Sequence, residues 1–340
     1  MKLVTGGAGF IGSAVARRLL DLGHEVRVVD NLSKGRAANI PAGCDYLEGD
    51  VADADVCRRA FDGVDVCFHL AAKIGGIGYF HRYPADILDD NNLMLSRVFR
   101  TATDAGTKLV YVSSSMVFER AGQWPTPEDA IDRFPPPFSA YGFSKLVGEW
   151  YCRAFADQFE MEFAIARPFN AYGPGEFPEH EPGLAHVIPD LIKKILEGRR
   201  PIRLFGDGSQ TRSFTYVDDV ADAIATIGLH PEGSGEDFNI GTGVETSVLE
   251  LLGLLWRATG HAGEPEVEHG ETLPVDVQRR VPDVTKIGSR LGWAAAVPLE
   301  DGLRRTAHWY LSAQEAPAVS PQVVARSPGT AVAGSSSLGP

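Results

Sequence analysis

The sequence contains no CxxC pair. Its four cysteines, Cys44, Cys57, Cys67 and Cys152, are scattered along the chain, which argues against a zinc ribbon or disulfide framework and fits reduced, buried thiols in the cytosol. It also lacks a basic block or basic amphipathic stripe. With 45 acidic against 32 basic residues and a formal net charge of -13, it has little with which to neutralise a phosphate backbone or an anionic membrane, so neither nucleic acid nor membrane is an expected partner. No apolar run approaches the roughly 18 residues of a membrane span, and residue 1 leads straight into KLVTG, leaving no room for a signal peptide. Internal repeats are missing as well. What is present is a 340-residue chain of 44% hydrophobic content, enough to bury a core in one large domain or two smaller ones, and a cytoplasmic location is expected.

Short β-rich runs (LVTG, EVRVVD, CDYLEG, DVCFHLAA, KLVYVSSS, EFAIARPF) alternate with segments of helical period at 10–23, 84–106 and 139–160. That alternation predicts parallel βαβ units and an α/β fold with a doubly wound parallel sheet. The rhythm fails around 170–210, where Pro and Gly cluster in AYGPGEFPEHEPG, and returns once at 217–240. The expected division is 1–170 plus 214–240 for a dinucleotide-binding domain. A smaller, discontinuous substrate-binding domain, 171–213 plus 241–311, would cap the C-terminal strand edge, where open α/β sheets bind ligands. From Ser312 the chain is rich in Ala, Pro, Ser and Gly without period, and 312–340 reads as a disordered tail. The apolar faces of 84–106 and 139–160 either cover the sheet or pair with their copies in a homodimer.

Gly6, Gly9 and Gly12 of TGGAGFIG lie between an apolar strand and an apolar-periodic helix that opens at Phe10 and Ile11. Glycine there lets the backbone turn tightly and approach a pyrophosphate, whose charge is met by free N–H groups at the helix N-terminus. Asp30 ends the second strand, about twenty residues on, where a carboxylate accepts both ribose hydroxyls and repels a 2′-phosphate. NAD is expected over NADP, with nearby Arg36 the one feature that speaks for NADP. Asp50 and Val51 suit an adenine amino group and ring, or else form a solvated turn. Asn31, Leu70, Ala71, Ala72 and Pro168, at or just past strand ends, are further expected cofactor contacts.

Tyr141 and Lys145 stand four apart in SAYGFSK, on one face of a helix. A phenol with a pKa near 10 is a poor base at neutral pH, but an adjacent ammonium favours phenolate. Ser113-Ser114-Ser115 end a strand at the same sheet edge. A hydroxyl there can bond both the substrate oxygen and the phenol, completing a proton-transfer geometry.

TGGAGFIG, the strand-end serines and YGFSK together resemble the extended short-chain dehydrogenase/reductase family, Rossmann-fold enzymes that include nucleotide-sugar epimerases and dehydratases. The resemblance extends to about Leu311. It implies proton transfer by Ser114 and Tyr141, and tuning of Tyr141 by Lys145, which also binds the nicotinamide ribose. It implies a cofactor site lined by Asn92 and Lys73, with Lys73 also reaching substrate. In ARPFNAYGP it places Asn170 on the sugar nucleotide, and in GDGSQTRSFTYVDD it makes Arg212 a diphosphate ligand, with Arg280 a second candidate. A planar guanidinium is the better fork for a diphosphate, although a surface arginine paired with a carboxylate is the alternative for both.

Family members share oxidation of a sugar carbon by NAD and differ in the fate of the 4-keto intermediate. The 4,6-dehydratases carry Asp and Glu where Ser115 and Met116 stand here. AAKIGGIGYFHRYPADILDDNN is similar to a segment of GDP-fucose synthases and GDP-mannose 3,5-epimerases, which use a cysteine at the place of Met116. His186, next to Val187 in HVIPDLIKK, matches the histidine of the synthases, or is a helix-start histidine bonded to backbone. A thioether cannot exchange a proton, so chemistry beside the keto group would need Glu119, Ser115 or His81 instead. The expectation is a 4-epimerase of a GDP- or UDP-hexose. The alternatives are a 3,5-epimerase, dehydratase or decarboxylase with a rearranged acid/base set, or an NAD(H)-responsive binding protein that has lost catalysis.

Overall fold

The computed structural model describes residues 1–74, 82–177, 186–271 and 277–315. Short, mostly apolar runs form a seven-stranded sheet, with the more polar β3 at one edge: β1 (Lys2–Thr5), β2 (Val26–Asp30), β3 (Asp45–Glu48), β4 (Val66–His69), β5 (Lys108–Val112), β6 (Phe163–Pro168) and β7 (Asp237–Ile240). All neighbours run parallel, in the order β7-β6-β5-β4-β1-β2-β3. Because both faces are covered, the central strands read as continuous apolar runs rather than alternating ones. The order reverses between β1 and β4, and the crevice outside their carboxyl ends is where a doubly wound sheet takes a ligand.

Helices α1 (Phe10–Asp21), α2 (Ala54–Phe61), α3 (Pro84–Asp104), α4 (Ala140–Phe159) and α5 (Val217–Leu229) flank the sheet. One face buries Val15, Leu19, Val220 and Ile224 from α1 and α5. The other buries Cys57, Phe61, Leu95, Phe99 and Cys152 from α2, α3 and α4. All four thiols are free, and burial raises those of Cys67 and Cys152 well above the ordinary cysteine value. A third core joins helices Val187–Leu196, Val248–Ala258 and Leu299–Glu315 through Ile188, Leu191, Leu252, Leu255 and Leu303. Beside it lies a small sheet of strands Thr246–Ser247, Thr211–Arg212 and Arg279–Arg280. The last helix continues past Leu311 to Glu315, with the Ser312 hydroxyl donating to the His308 carbonyl at 3.0 Å. Ser312 to Glu315 is therefore helix rather than tail, since Pro317 is the first residue there that opposes one. The rest of the expected tail, 316–340, lies outside the described residues, as do 75–81 of the KIGGIGYFH stretch and 178–185 of the Pro/Gly cluster. Among the described residues no helix is long and apolar enough to cross a membrane.

Two buried polar contacts fix the parts that meet at the crevice. Arg167 in β6 and Glu149 in α4 are both fully buried and form a bidentate pair at 2.8 and 2.7 Å. Arg167 also reaches Asp237 of β7 at 2.7 Å, and the Ser113 hydroxyl donates to Glu149 at 2.5 Å. At the switch point, Thr5 Oγ1 accepts the N–H groups of Leu70 and Ala71, each at 3.2 Å. Its one proton therefore goes to His69 Nδ1, 2.7 Å away, which makes the imidazole the neutral Nε2–H tautomer.

Removing one partner of a buried ion pair strands the other charge at a cost of about 3–5 kcal/mol, whereas replacing both with apolar groups costs far less. Arg167→Met should therefore lower the urea midpoint sharply, and Arg167→Met with Glu149→Leu should recover much of the loss. A double variant no better than the single would refute this account. Burial, helped by the charge on Lys145, pulls the pKa of His69 from 6.5 down to about 3. Between those values the unfolded chain binds a proton that the folded chain does not, so stability is lost as pH falls through that window. His69→Asn, which keeps an acceptor for Thr5, should flatten the acid limb of stability against pH; an acid limb identical to that of the parent protein would rule the imidazole out as its source.

Candidate active site

The glycine-rich turn is built by close backbone approach. Gly6 has φ +70°, and a Cβ on Gly12 would stand 2.1 Å from the Gly6 carbonyl oxygen. Gly9 caps α1 without a side-chain hydrogen bond, and the first turn holds no acidic residue. The leading amides of α1, from Phe10 and Ile11 onward, thus carry the positive end of the helix dipole into the crevice.

Around this turn the expected cofactor residues converge unevenly. Asp30 accepts from the N–H of Ala8 at 3.0 Å and of Leu32 at 2.8 Å, which sets its carboxylate on the rim of the turn. Asp50 accepts from Asn31 Nδ2 at 2.9 Å and from the N–H of Ala52 at 2.8 Å. It is thus a turn aspartate bound to Asn31, with Val51 buried behind it. The N–H groups of Leu70 and Ala71 are spent on Thr5; Ala72, three residues past β4, and Pro168, the last residue of β6, are half-buried. Lys73 is held by its main chain: Asn91 accepts from its N–H at 2.7 Å, donates to its carbonyl at 3.2 Å and donates to Ser144 Oγ at 3.1 Å. The Lys73 ammonium pairs with Asp90 at 2.7 Å. Asn92 has a buried side-chain carbonyl oxygen with no partner among the described residues, an acceptor that a bound group would satisfy. The tight turn, the uncapped helix start and this acceptor suit a dinucleotide.

Helix α4 begins beneath the strand-end serines because Ser139 caps it, accepting the Gly142 N–H at 3.0 Å. Tyr141 is buried; burial raises its phenol pKa and a hydrogen bond with Ser114 opposes the rise. Ser114 Oγ also accepts the Met116 N–H at 3.2 Å, fixing the turn Ser115–Phe118. Lys145, one turn on, donates to the Val112 carbonyl at 2.9 Å, with its nitrogen 5.9 Å from the Tyr141 ring centroid. Burial lowers its pKa to about 8, against the pull of Glu149. The structure therefore brings Ser114, Tyr141 and Lys145 into one corner.

The remaining candidates divide. Met116 packs with Tyr141 and Ile87, and Ser115 is buried. Glu119 accepts from the N–H of Ser139 at 2.8 Å and from its hydroxyl at 2.6 Å, bracing the start of α4. His81 lies outside the described residues. His186 caps its helix without a side-chain bond and instead pairs with the Glu176 carboxylate, while Val187 packs into the third core. Asn170, at φ +36°, donates to the Ser213 carbonyl at 3.1 Å. Arg212 and Arg280 are register partners on adjacent parallel strands, and the Arg212 guanidinium donates to the Thr211 carbonyl at 2.8 Å. Their neighbour Arg279 takes up Glu245 in a bidentate pair at 2.6 and 2.7 Å. Three supports carry no motif: His69, Asn91 and the Glu149–Arg167 pair. A charge inside an apolar run, as in EFAIARPF, was the available sign of the last.

A model of the NAD dependent epimerase/dehydratase family matches residues 2–241. A UDP-glucose 4-epimerase of Mycolicibacterium smegmatis is 36% identical over 316 residues, covering 91% of this chain and 97% of that one. A UDP-glucuronic acid decarboxylase 1 of Xenopus tropicalis is 31% identical over 310 residues, covering 91% and 71%. Among solved structures, the UDP-glucose 4-epimerase of Thermotoga maritima with UDP-glucose superposes with a TM-score of 0.84 at 33% identity, over 92% of this chain and 99% of that one. A family match that starts in β1 and ends just past β7 makes this chain a member of the NAD-dependent epimerase/dehydratase family, an enzyme whose cofactor is NAD.

Proposed function

We propose that the chain is a nucleotide-sugar 4-epimerase, with a UDP-hexose favoured by its similarity to UDP-glucose 4-epimerases. The carrying observation is the proton-transfer corner seen among the described residues. Tyr141, Ser114 and Lys145 meet there, while Met116 is inert and Glu119 is committed to Ser139. Elimination or epimerisation beside a ketone needs a second acid/base; 4-epimerisation does not. Residues 1–170 plus 214–240 serve the dinucleotide, and 171–213 plus 241–311 serve the sugar nucleotide.

Bound NAD supplies reversible two-electron oxidation at C4 of the hexose. The residues expected to hold it are Gly6, Gly9 and Gly12 with the start of α1 at the pyrophosphate, Asp30 at the adenosine ribose, and Asn92 and Lys145 toward the nicotinamide end. Ser114 Oγ orients the substrate C4 hydroxyl and Tyr141 Oη takes its proton, then returns it. The Lys145 ammonium favours the phenolate that burial alone disfavours. Inversion requires the hexose to present its other face to the same tyrosine while the diphosphate stays anchored. Arg212 and Arg280 suit that anchor, since paired guanidinium forks bind diphosphate oxygens bidentately and leave the sugar free.

The homodimer forms through α3 and α4. Their outer face exposes Leu93 (51%), Phe143 (43%) and Trp150 (62%), and Ser96, Arg100, Val147 and Tyr151 line a groove beside them. Apolar side chains this large on adjoining helices fit a second copy of the same face. The location is cytoplasmic, where the free thiols stay reduced.

Incubation with UDP-, GDP- and dTDP-sugars in deuterated water should give C4 inversion without deuterium uptake; deuterium at C3 or C5, or loss of water, would refute 4-epimerisation. Tyr141→Phe should lower kcat by about 10²–10⁴-fold with dinucleotide affinity nearly unchanged, whereas a binding protein would show no turnover to lose. Trp150→Glu should convert a dimer to a monomer by light scattering, and a monomeric parent protein would exclude this interface.

A further inference from the structure

The loop after β2 carries two cations, Lys34 and Arg36, close to the Asp30 carboxylate. Cations in this loop are what a dinucleotide 2′-phosphate requires, yet both are directed elsewhere. Lys34 Nζ donates to the Ile74 carbonyl oxygen at 3.1 Å. The Arg36 guanidinium lies 3.5 Å from the centroid of the Phe177 ring.

Backbone contacts fix how near Arg36 stands to Asp30. Ala8 donates its N–H to Asp30 Oδ2 at 3.0 Å, while its carbonyl accepts from the Arg36 N–H and from Asn39 Nδ2, each at 3.1 Å. A Cβ on Gly35 would lie 2.8 Å from Ala8, so this stretch is pressed onto the glycine-rich turn. One residue thus holds the carboxylate on one side and the backbone of Arg36 on the other, within the reach of an arginine side chain.

Phe177 is itself fixed from behind. Its ring meets Trp309 edge-on at 4.8 Å, and the Glu176 carbonyl beside it accepts the Tyr310 hydroxyl. The aromatic face is anchored to the helix Leu299–Glu315, and it is the guanidinium that comes to meet it. A guanidinium stacked on an aromatic face has part of its charge already satisfied by the ring quadrupole.

We propose that Phe177 determines cofactor specificity. By holding Arg36 against its ring it withholds from the ribose a cation that would bind a 2′-phosphate, leaving Asp30 to select NAD over NADP. The proposal rests on the reading that Asp30 faces the adenosine ribose, and the experiment separates the two.

The purified protein is equilibrated with equimolar NAD and NADP, and bound nucleotides are released and quantified by mass spectrometry. Phe177→Leu keeps apolar bulk against Trp309 but removes the π face. It should raise the bound NADP:NAD ratio about fivefold, the strength of an exposed cation–π contact written as a ratio. Adding Arg36→Gln should return the ratio to that of the parent protein. Arg36→Gln alone, which leaves the packing intact, should not change it; a fall in the NADP share would mean that Arg36 already serves the phosphate and would overturn the proposal. Asp30→Asn reports on the underlying reading and should raise the ratio. A raised ratio in Asp30→Asn with none in Phe177→Leu overturns the role of Phe177, and no change in Asp30→Asn overturns the placement of the ribose, and the proposal with it.

Discussion

The bidentate pair between Arg167 and Glu149 sets where everything else can sit. Glu149 lies two turns along α4 from Tyr141, so tying it to β6 fixes both the rotation and the height of the helix over the sheet edge. The same carboxylate takes the Ser113 hydroxyl, which brings the end of β5, and with it Ser114, into register with Tyr141. Glu149 also opposes the desolvation that lowers the Lys145 pKa. One buried charge therefore positions the hydroxyl and the phenol and tunes the ammonium. A buried ion pair is an uncertain source of stability, but here its geometry has a use that an apolar substitute would not supply.

A second constraint comes from charge distribution. The chain carries a net charge of -13, yet the crevice must accept a dinucleotide and a diphosphate. The fold has local sources of positive charge: helix α1 presents uncapped amides, and the strands Thr211–Arg212 and Arg279–Arg280 carry Arg212 and Arg280 as register partners. Arg279, beside Arg280 on the same strand, is neutralised by Glu245. Local arrangement, not total charge, decides which anions bind.

Much of this was legible in the sequence, for physical reasons that differ by element. The period change between strands and helices comes from burial on both sheet faces, so the βαβ order could be read directly from runs such as KLVYVSSS and the helical segment 139–160. Tyr141, Lys145 and Ser114 were legible because helical spacing and a strand end specify their direction. Contacts made across the chain were not. Nothing local in Glu119 says that it braces Ser139, and nothing in His186 says that it meets Glu176 rather than backbone; both depend on segments brought together only by the fold. Asn91 and Asn92 are adjacent and chemically identical, yet helical rotation gives one a bracing role and leaves the other with an unsatisfied oxygen.

The fate of Glu119 bears on the choice of reaction. A carboxylate three residues beyond Met116 would be the natural replacement for a missing acid/base, and its near-complete burial at first fits such a role. Its hydrogen bonds oppose it. To exchange a proton with substrate it would have to release the N–H and hydroxyl of Ser139, and Ser139 in turn holds the Gly142 N–H at the first turn of α4. Freeing the carboxylate would loosen the helix that places Tyr141, so chemistry gained beside the keto group would be lost at the tyrosine. Among the described residues, Tyr141 is a proton-transfer group with a stiff support, which favours a reaction that removes and returns the same proton at one oxygen.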